Sequence, residues 1–385
     1  ELRAEQNEAD QKRLGAMRKR DLLFSRGHHR KRTTSQTNCF YKNRRGTARK
    51  FAIQCVSSIK QANQLNLEEA VESYSKRFRN HLKIKGYDLQ LSLVAIDIET
   101  GLIEASLGNR KNNGAIANFT DYGDGFQCGS VLKPLVFLEL FEHHDFDETS
   151  TLFNGDLKEY KYNPSNFNNK FLNKEMSVGD VLKYSLNKAA VNYRVNANPL
   201  EVARKVEKKL SKIGISSNPS YSLGESYILG TKTMTPLEVA QAYQMLFNRG
   251  EVVKLSPWKY IVDPHLQDTI YDFRSKKTKS LYSGAEANNI KSLLKGAFEP
   301  GGTCHRLLKF LPKDRQYYGK TGTTGKAKDG WTVLSDGKKL IAVWAGYVKN
   351  DKGYLKRKDA PPVPSKSGAG SAGILAAMAY AKLYK

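Results

Sequence analysis

W-T-V-L-S-D-G-K-K-L-I-A-V-W-A-G-Y, residues 331–347, holds two apolar runs joined through Asp336-Gly337. Asp-Gly supplies the positive φ of a tight hairpin, so paired strands are predicted over 331–334 and 339–347. A similar pattern stands far upstream. There Leu89, Leu91, Leu93 and Ala95 alternate with other residues, Glu99-Thr100-Gly101 makes a turn, and Ile103 and Ala105 follow. Between the two hairpins the apolar spacing becomes helical, over 131–141, 178–193, 200–212 and 236–248. The last of these begins with Pro236 in the first turn behind Thr235, a capping residue. The Ala-rich segment 373–384 is too short to span a bilayer and reads as a helix packed on the sheet. Strand pairs at both ends with helices between them predict an α/β chain of the α+β type, with one antiparallel sheet assembled from distant segments.

Upstream of that sheet, Ala70, Val71, Tyr74 and Phe78 recur at helical spacing within 67–82, which lets one face dock on a body. Residues 1–25 are charged and helix-compatible. Residues 26–50 carry Arg, Lys, His, Thr and Asn with little apolar periodicity and read as a loop or solvated basic arm. The 385 residues have a formal net charge of +25, and the first 50 hold 15 Lys or Arg against 5 Asp or Glu. Such a field draws anionic partners: nucleic acid, an acidic membrane surface or a polyanionic wall. Nucleic acid is disfavoured, because the densest basic segment interleaves only Phe40 and Tyr41 as aromatics. Cys39, Cys55, Cys128 and Cys304 form no C-x-x-C pair and no metal-ligand spacing with histidine, so no metal or other cofactor is expected. Cys39 and Cys55 can close a loop in an oxidising compartment or remain thiols. His143-His144, after an apolar helix, reads as a solvated helix end. No apolar stretch reaches the length of a membrane span, and with no initiator Met the chain reads as an excerpt of a longer protein or a processed form, from which an upstream anchor could have been removed.

Three short strings carry chemistry. In G-S-V-L-K-P (129–134) the three-residue spacing puts the Ser130 hydroxyl and the Lys133 amine on one helix face. The helix start offers amide donors to a developing oxyanion, and a buried Lys133 can act as base for the serine. Spacing alone does not select it, since Ser-x-x-Lys recurs at 57–60, 73–76, 292–295 and 335–338; the glycine before it and the apolar run 135–138 behind it do. Ser185 and Asn187, in Y-S-L-N-K-A-A-V-N, reach a shared cleft at a turn between helices, whereas the similar Ser216-Ser217-Asn218 precedes Pro219 and reads as a loop turn. Lys320-Thr321-Gly322-Thr323 occurs once: on a strand edging a cleft, Lys320 supplies positive charge, Gly322 lets a substrate backbone approach, and Thr323 can bind a carboxylate.

The ordered set S-x-x-K, S-x-N and K-T-G at 130, 185 and 320 resembles that of the penicillin-binding proteins and serine β-lactamases. Three further strings resemble the class A bifunctional penicillin-binding proteins: I-D-I-E-T-G-L-I-E-A-S-L-G at 96–108, T-P-L-E-V-A-Q-A-Y at 235–243 and G-K-T-G-T-T at 319–324. The resemblance covers 86–385 and implies a transpeptidase domain there, with a helical subdomain beside the sheet and a basic helical linker or arm over 1–85. No glycosyltransferase domain is recognisable. The same resemblance implies that Ser130 attacks the D-Ala-D-Ala bond of a stem peptide, that Lys133 is the base and that Ser185 relays a proton to the leaving amine. Asn187 would bind the donor amide and Lys320 and Thr323 the carboxylate, with an oxyanion hole from the N–H groups of Ser130 and Thr323.

Stem peptides and β-lactam antibiotics are the implied partners, beside an anionic membrane surface, at the extracytoplasmic, periplasmic face of a bacterial inner membrane. Two strings depart from the family's usual pattern, I-A-N-F-T-D-Y at 116–122 and G-G-T-C-H at 301–305. A class A β-lactamase would show E-x-x-L-N between the second and third motifs; the nearest string, Glu207-Lys208-Lys209-Leu210-Ser211, ends in Ser. A D,D-carboxypeptidase and a non-catalytic β-lactam or peptidoglycan sensor domain remain as alternatives.

Overall fold

Two central strands carry apolar side chains on both of their faces, and this decides the architecture. The computed structural model describes residues 34–42, 48–110, 118–121, 123, 125–167, 171–216, 222–263, 268–273, 279–351 and 354–385. Among them, in chain order, the strands are β1 (Thr34–Lys42), β2 (Ala48–Ser57), β3 (Tyr87–Asp97), β4 (Ile103–Leu107), β5 (Trp258–Asp263), β6 (Asp268–Asp272), β7 (Tyr318–Thr323), β8 (Asp329–Ser335) and β9 (Lys339–Asp351). The helices are α1 (Gln61–Arg77), α2 (Lys133–His143), α3 (Val178–Tyr184), α4 (Asn187–Val191), α5 (Pro199–Lys212), α6 (Pro236–Phe247), α7 (Gly284–Leu293) and α8 (Ile374–Leu383).

The main sheet runs β7-β8-β9-β3 with every pair antiparallel, and β4 pairs with β3. It joins the two distant hairpins, as expected. Val94 and Ile96 of β3 and Ala342 and Trp344 of β9 face one core, shared with α2 to α7. Leu91 and Leu93, with Ile341 and Val343, face a second core under α1 and α8. A sheet covered on both sides needs apolar residues at consecutive positions, which is why L-S-L-V-A-I and L-I-A-V-W-A read as near-continuous runs.

Local signals mark most element ends. Thr235 and Glu238 form a reciprocal capping box at the start of α6. At the 336–337 hairpin only Gly337 takes positive φ, while the Asp336 carboxylate accepts the N–H groups of Lys338 and Lys339 at 2.8 and 2.7 Å. The helix expected over 178–193 is broken: α3 ends at Ser185, which is left-handed at φ 57° and ψ 41°.

Two expectations are corrected. The loop or arm expected over 26–50 contains β1 and the start of β2, which pair with each other and, through β2, with β5 some 200 residues away. Long-range pairing of this kind leaves no local periodicity to read. The linker expected over 1–85 is not wholly helical. Its helix α1 buries Leu67, Ala70 and Tyr74 in the same core as β3. The helix-compatible residues 1–25 lie outside the described residues.

Trp344 tests the packing between sheet and helices. It is fully buried, stacks on Phe126 at 3.7 Å, and donates from Nε1 to Asp329 Oδ1 at 2.9 Å. Trp344→Ala is expected to lower unfolding free energy by about 3–5 kcal/mol in urea denaturation, and Trp344→Phe, which keeps a ring in the stack, by less.

Candidate active site

Ser130 sits in a 3₁₀ turn, Gly129–Leu132, that leads directly into α2. In a turn of this pitch, residues three apart lie on one side, so Ser130 and Lys133 share a face. Backbone bonds fix the turn from behind: Cys128 N–H donates to Lys232 O at 2.9 Å and Gly129 N–H to Gly230 O at 3.1 Å. Tyr243 of α6, the last residue of T-P-L-E-V-A-Q-A-Y, donates its buried hydroxyl to Val131 O at 2.7 Å. Ser130 keeps 9% exposure and Lys133 none.

The Lys133 amine meets the second motif. It donates to Ser185 O at 3.0 Å, Leu186 O at 2.8 Å and Asn187 Oδ1 at 2.8 Å. These carbonyls converge because the left-handed Ser185 ends α3 and Leu186 starts α4, so the chain turns its C=O groups inward. Three acceptors match the three N–H groups of an ammonium. Against them, burial and the nearby Lys320 charge push the Lys133 pKa well below its ordinary value.

The third motif closes the site from the sheet edge. Lys320 Nζ donates to Ser185 Oγ at 2.8 Å and to Thr321 O at 3.1 Å, and burial drives its pKa down to about 7. Thr324 N–H bonds to Asp329 O at 3.2 Å. The alternation of an antiparallel ladder then turns the N–H and C=O of Thr323 away from β8, to the free edge of β7. That edge meets the nucleophile turn: a Cβ on Gly129 would lie 3.1 Å from Thr323 N and O, and one on Gly322 would lie 2.6 Å from Cys128 O. Only glycine permits this approach of backbone to backbone. Thr323 Oγ1 accepts Gly368 N–H at 2.9 Å, which leaves its own proton free to donate. Thr321 is buried within the strand.

All three motifs therefore meet, and the Ser-x-x-Lys strings at 57–60 and 292–295 stand elsewhere. Residues 57–60 lie between β2 and α1, residues 292–295 close α7, and Ser216-Ser217-Asn218 is described only at Ser216. Cys128 and Cys304 are buried free thiols behind the nucleophile turn and beside β7. Sequence reading passed over Ser165 and Asn166, whose contacts with Asn187 hold the second motif in place. Their signal was compositional, an Asn-rich run at 163–169 with no periodicity to mark its contacts.

Comparison with known proteins places this fold among the penicillin-binding proteins. Residues 91–356 match the family model of the penicillin binding protein transpeptidase domain, and the chain belongs to that family. It is 30% identical over 274 residues to penicillin-binding protein 1A of Aquifex aeolicus, covering 69% of this chain and 35% of that protein. It is 26% identical over 312 residues to penicillin-binding protein 1B of Vibrio cholerae, covering 77% of this chain and 37% of the relative. The chain thus spans well under half the length of these curated relatives. Among solved structures, PonA1 of Mycobacterium tuberculosis in complex with penicillin V superimposes with a TM-score of 0.66 at 20% identity, over 86% of this chain and 84% of that one.

Lys320 gives a test of the site's electrostatics. Its folded pKa, about 7, lies below the ordinary 10.5, so above about pH 7 the unfolded chain binds more protons and stability rises with pH through this group. Urea unfolding between about pH 7 and 9, below tyrosine ionisation, is expected to show a smaller rise for Lys320→Met than for the wild type. Equal slopes would contradict the assignment.

Proposed function

We propose that this domain is a peptidoglycan D,D-transpeptidase that works through an acyl-enzyme on Ser130 and is acylated by β-lactams at the same atom. The observation that carries the reading is the Lys133 amine, wholly buried and bonded to Ser185, Leu186 and Asn187, one turn from a partly exposed serine. Loss of its proton leaves a lone pair for the Ser130 proton while Oγ attacks the carbonyl carbon of the penultimate D-Ala. The Ser130 and Thr323 N–H groups would meet the oxyanion. Ser185, whose Oγ accepts from Lys320, would pass a proton to the leaving D-Ala amine. An amine from a second stem peptide then attacks the ester, forms the cross-link and frees Ser130.

Lys320 and the Thr323 hydroxyl would hold the substrate carboxylate, with Thr321 and Gly322 shaping the strand that receives its backbone. Asn187 uses one amide hydrogen on Ser165 O at 2.9 Å, which leaves the other for the donor peptide's carbonyl. Glu207, of the string nearest to a β-lactamase deacylation motif, is bound by Lys232 at 3.0 Å and by the Tyr227 hydroxyl. A carboxylate engaged in this way supports aminolysis over rapid hydrolysis. The basic surplus fits an anionic membrane surface and phosphate-bearing wall polymers at the extracytoplasmic face.

The chain and Ser130→Ala, incubated with fluorescent penicillin and run on a denaturing gel, separate the outcomes. Labelling of the wild type and none of the variant is expected; equal labelling of both, or of neither, defeats the assignment.

A further inference from the structure

The second motif does not hold itself in place. Helix α4 begins at Asn187 behind Leu186, which has no side chain able to cap it. The cap comes from elsewhere in the chain: Asn166 Oδ1 accepts Asn187 N–H at 2.7 Å and Lys188 N–H at 3.1 Å. Asn166 is itself buried, and its Nδ2 donates to Asn154 Oδ1 at 2.9 Å. Asn154, fully buried, donates onward to Phe171 O at 2.8 Å, and its backbone N–H bonds to Lys174 O beyond the short strand Thr151–Phe153.

The preceding residue acts on the Asn187 side chain. Ser165 O accepts from Asn187 Nδ2 at 2.9 Å, and this fixes the amide plane. With Nδ2 committed to a carbonyl, Oδ1 points the other way, onto Lys133 Nζ. Two adjacent loop residues therefore fix both the backbone and the side chain of the residue that supplies one of the three acceptors of the buried amine.

We propose that Asn166 is a positioning residue for the chemistry at Ser130: by capping α4 and, with the Ser165 carbonyl, orienting the Asn187 amide, it sets where the Lys133 amine is held. This rests on the acyl-enzyme reading above. Displacing a base by about 1 Å costs on the order of 100-fold in rate. Without Asn166 the ammonium of Lys133 also loses part of its acceptor set, so its free-amine form is reached at lower pH; Lys320 is the charged group that acts on this amine among the described residues.

The test is the second-order rate of acylation by fluorescent penicillin across pH, for the wild type and Asn166→Ala. Asn166→Ala is expected to acylate about 100-fold more slowly, with the acid limb of its profile moved to lower pH. Loss of folded protein alone would scale the profile without moving that limb. Asn166→Ser, which leaves a polar group too short to reach α4, takes the place of the alanine variant if that variant does not fold, with the same loss expected. An alanine or serine variant with the wild-type rate, or with a slower rate and an unmoved limb, overturns the proposal. A wild type unlabelled at Ser130 instead overturns the acyl-enzyme reading.

Discussion

A lysine amine with no exposure to solvent must be met by acceptors or give up its proton, and the site is organised around that demand at Lys133. The amine sits on the rigid first turn of α2, whose apolar residues 135–138 are locked in the larger core. Its acceptors come from a chain reversal more than 50 residues away, where a left-handed Ser185 turns two backbone carbonyls toward one point. A non-glycine residue at positive φ is strained, and strain persists where the surroundings over-determine it. Here α3 and α4, each packed in the same core, supply that determination. The second buried amine, Lys320, adds like charge nearby and so presses Lys133 further toward the free base.

The two cores divide the labour of holding this arrangement. The core under α1 and α8 backs the main sheet and leaves the edge strand β7 free to face the helices. The larger core fixes α2 and α6, and Tyr243 couples them at the nucleophile turn through one buried hydrogen bond. Between the halves the contact is backbone on backbone, at Gly129 against Thr323 and Gly322 against Cys128. Side chains there would separate the Ser130 turn from β7, the strand that carries Lys320 and Thr323. Beyond that contact, Asp329 ties the end of β7 to the sheet through Thr324 at 2.8 Å and Arg357 at 2.6 Å.

Much of this was legible in the sequence because the signals were local or paired by spacing. The Asp-Gly hairpin, the alternation on β3, the Thr235 cap and the three motifs each needed only a short window. What escaped were contacts between segments with no shared pattern. β1 pairs with β2, and β2 through residues 54–57 with β5 some 200 residues on, and no periodicity in 34–57 announces either ladder. The helix break at Ser185 was legible only from the turn between helices that Ser185 and Asn187 need; hydrophobic spacing hides it, since Val181, Leu182, Ala189 and Ala190 continue the apolar face on both sides. Asn166 and Asn154 are polar residues whose partners are set only once the loop has folded against α4.

The claim that most rests on the fold is that Lys133 is an unusually acidic amine at neutral pH. Proton titration of Lys133 by carbon-detected NMR, with lysine labelled at Cε and the resonance assigned by loss in Lys133→Arg, measures this directly. The account predicts a titration midpoint well below that of the surface lysines. A midpoint near the ordinary 10.5 would contradict it, and with it the role of the buried amine as the base for Ser130.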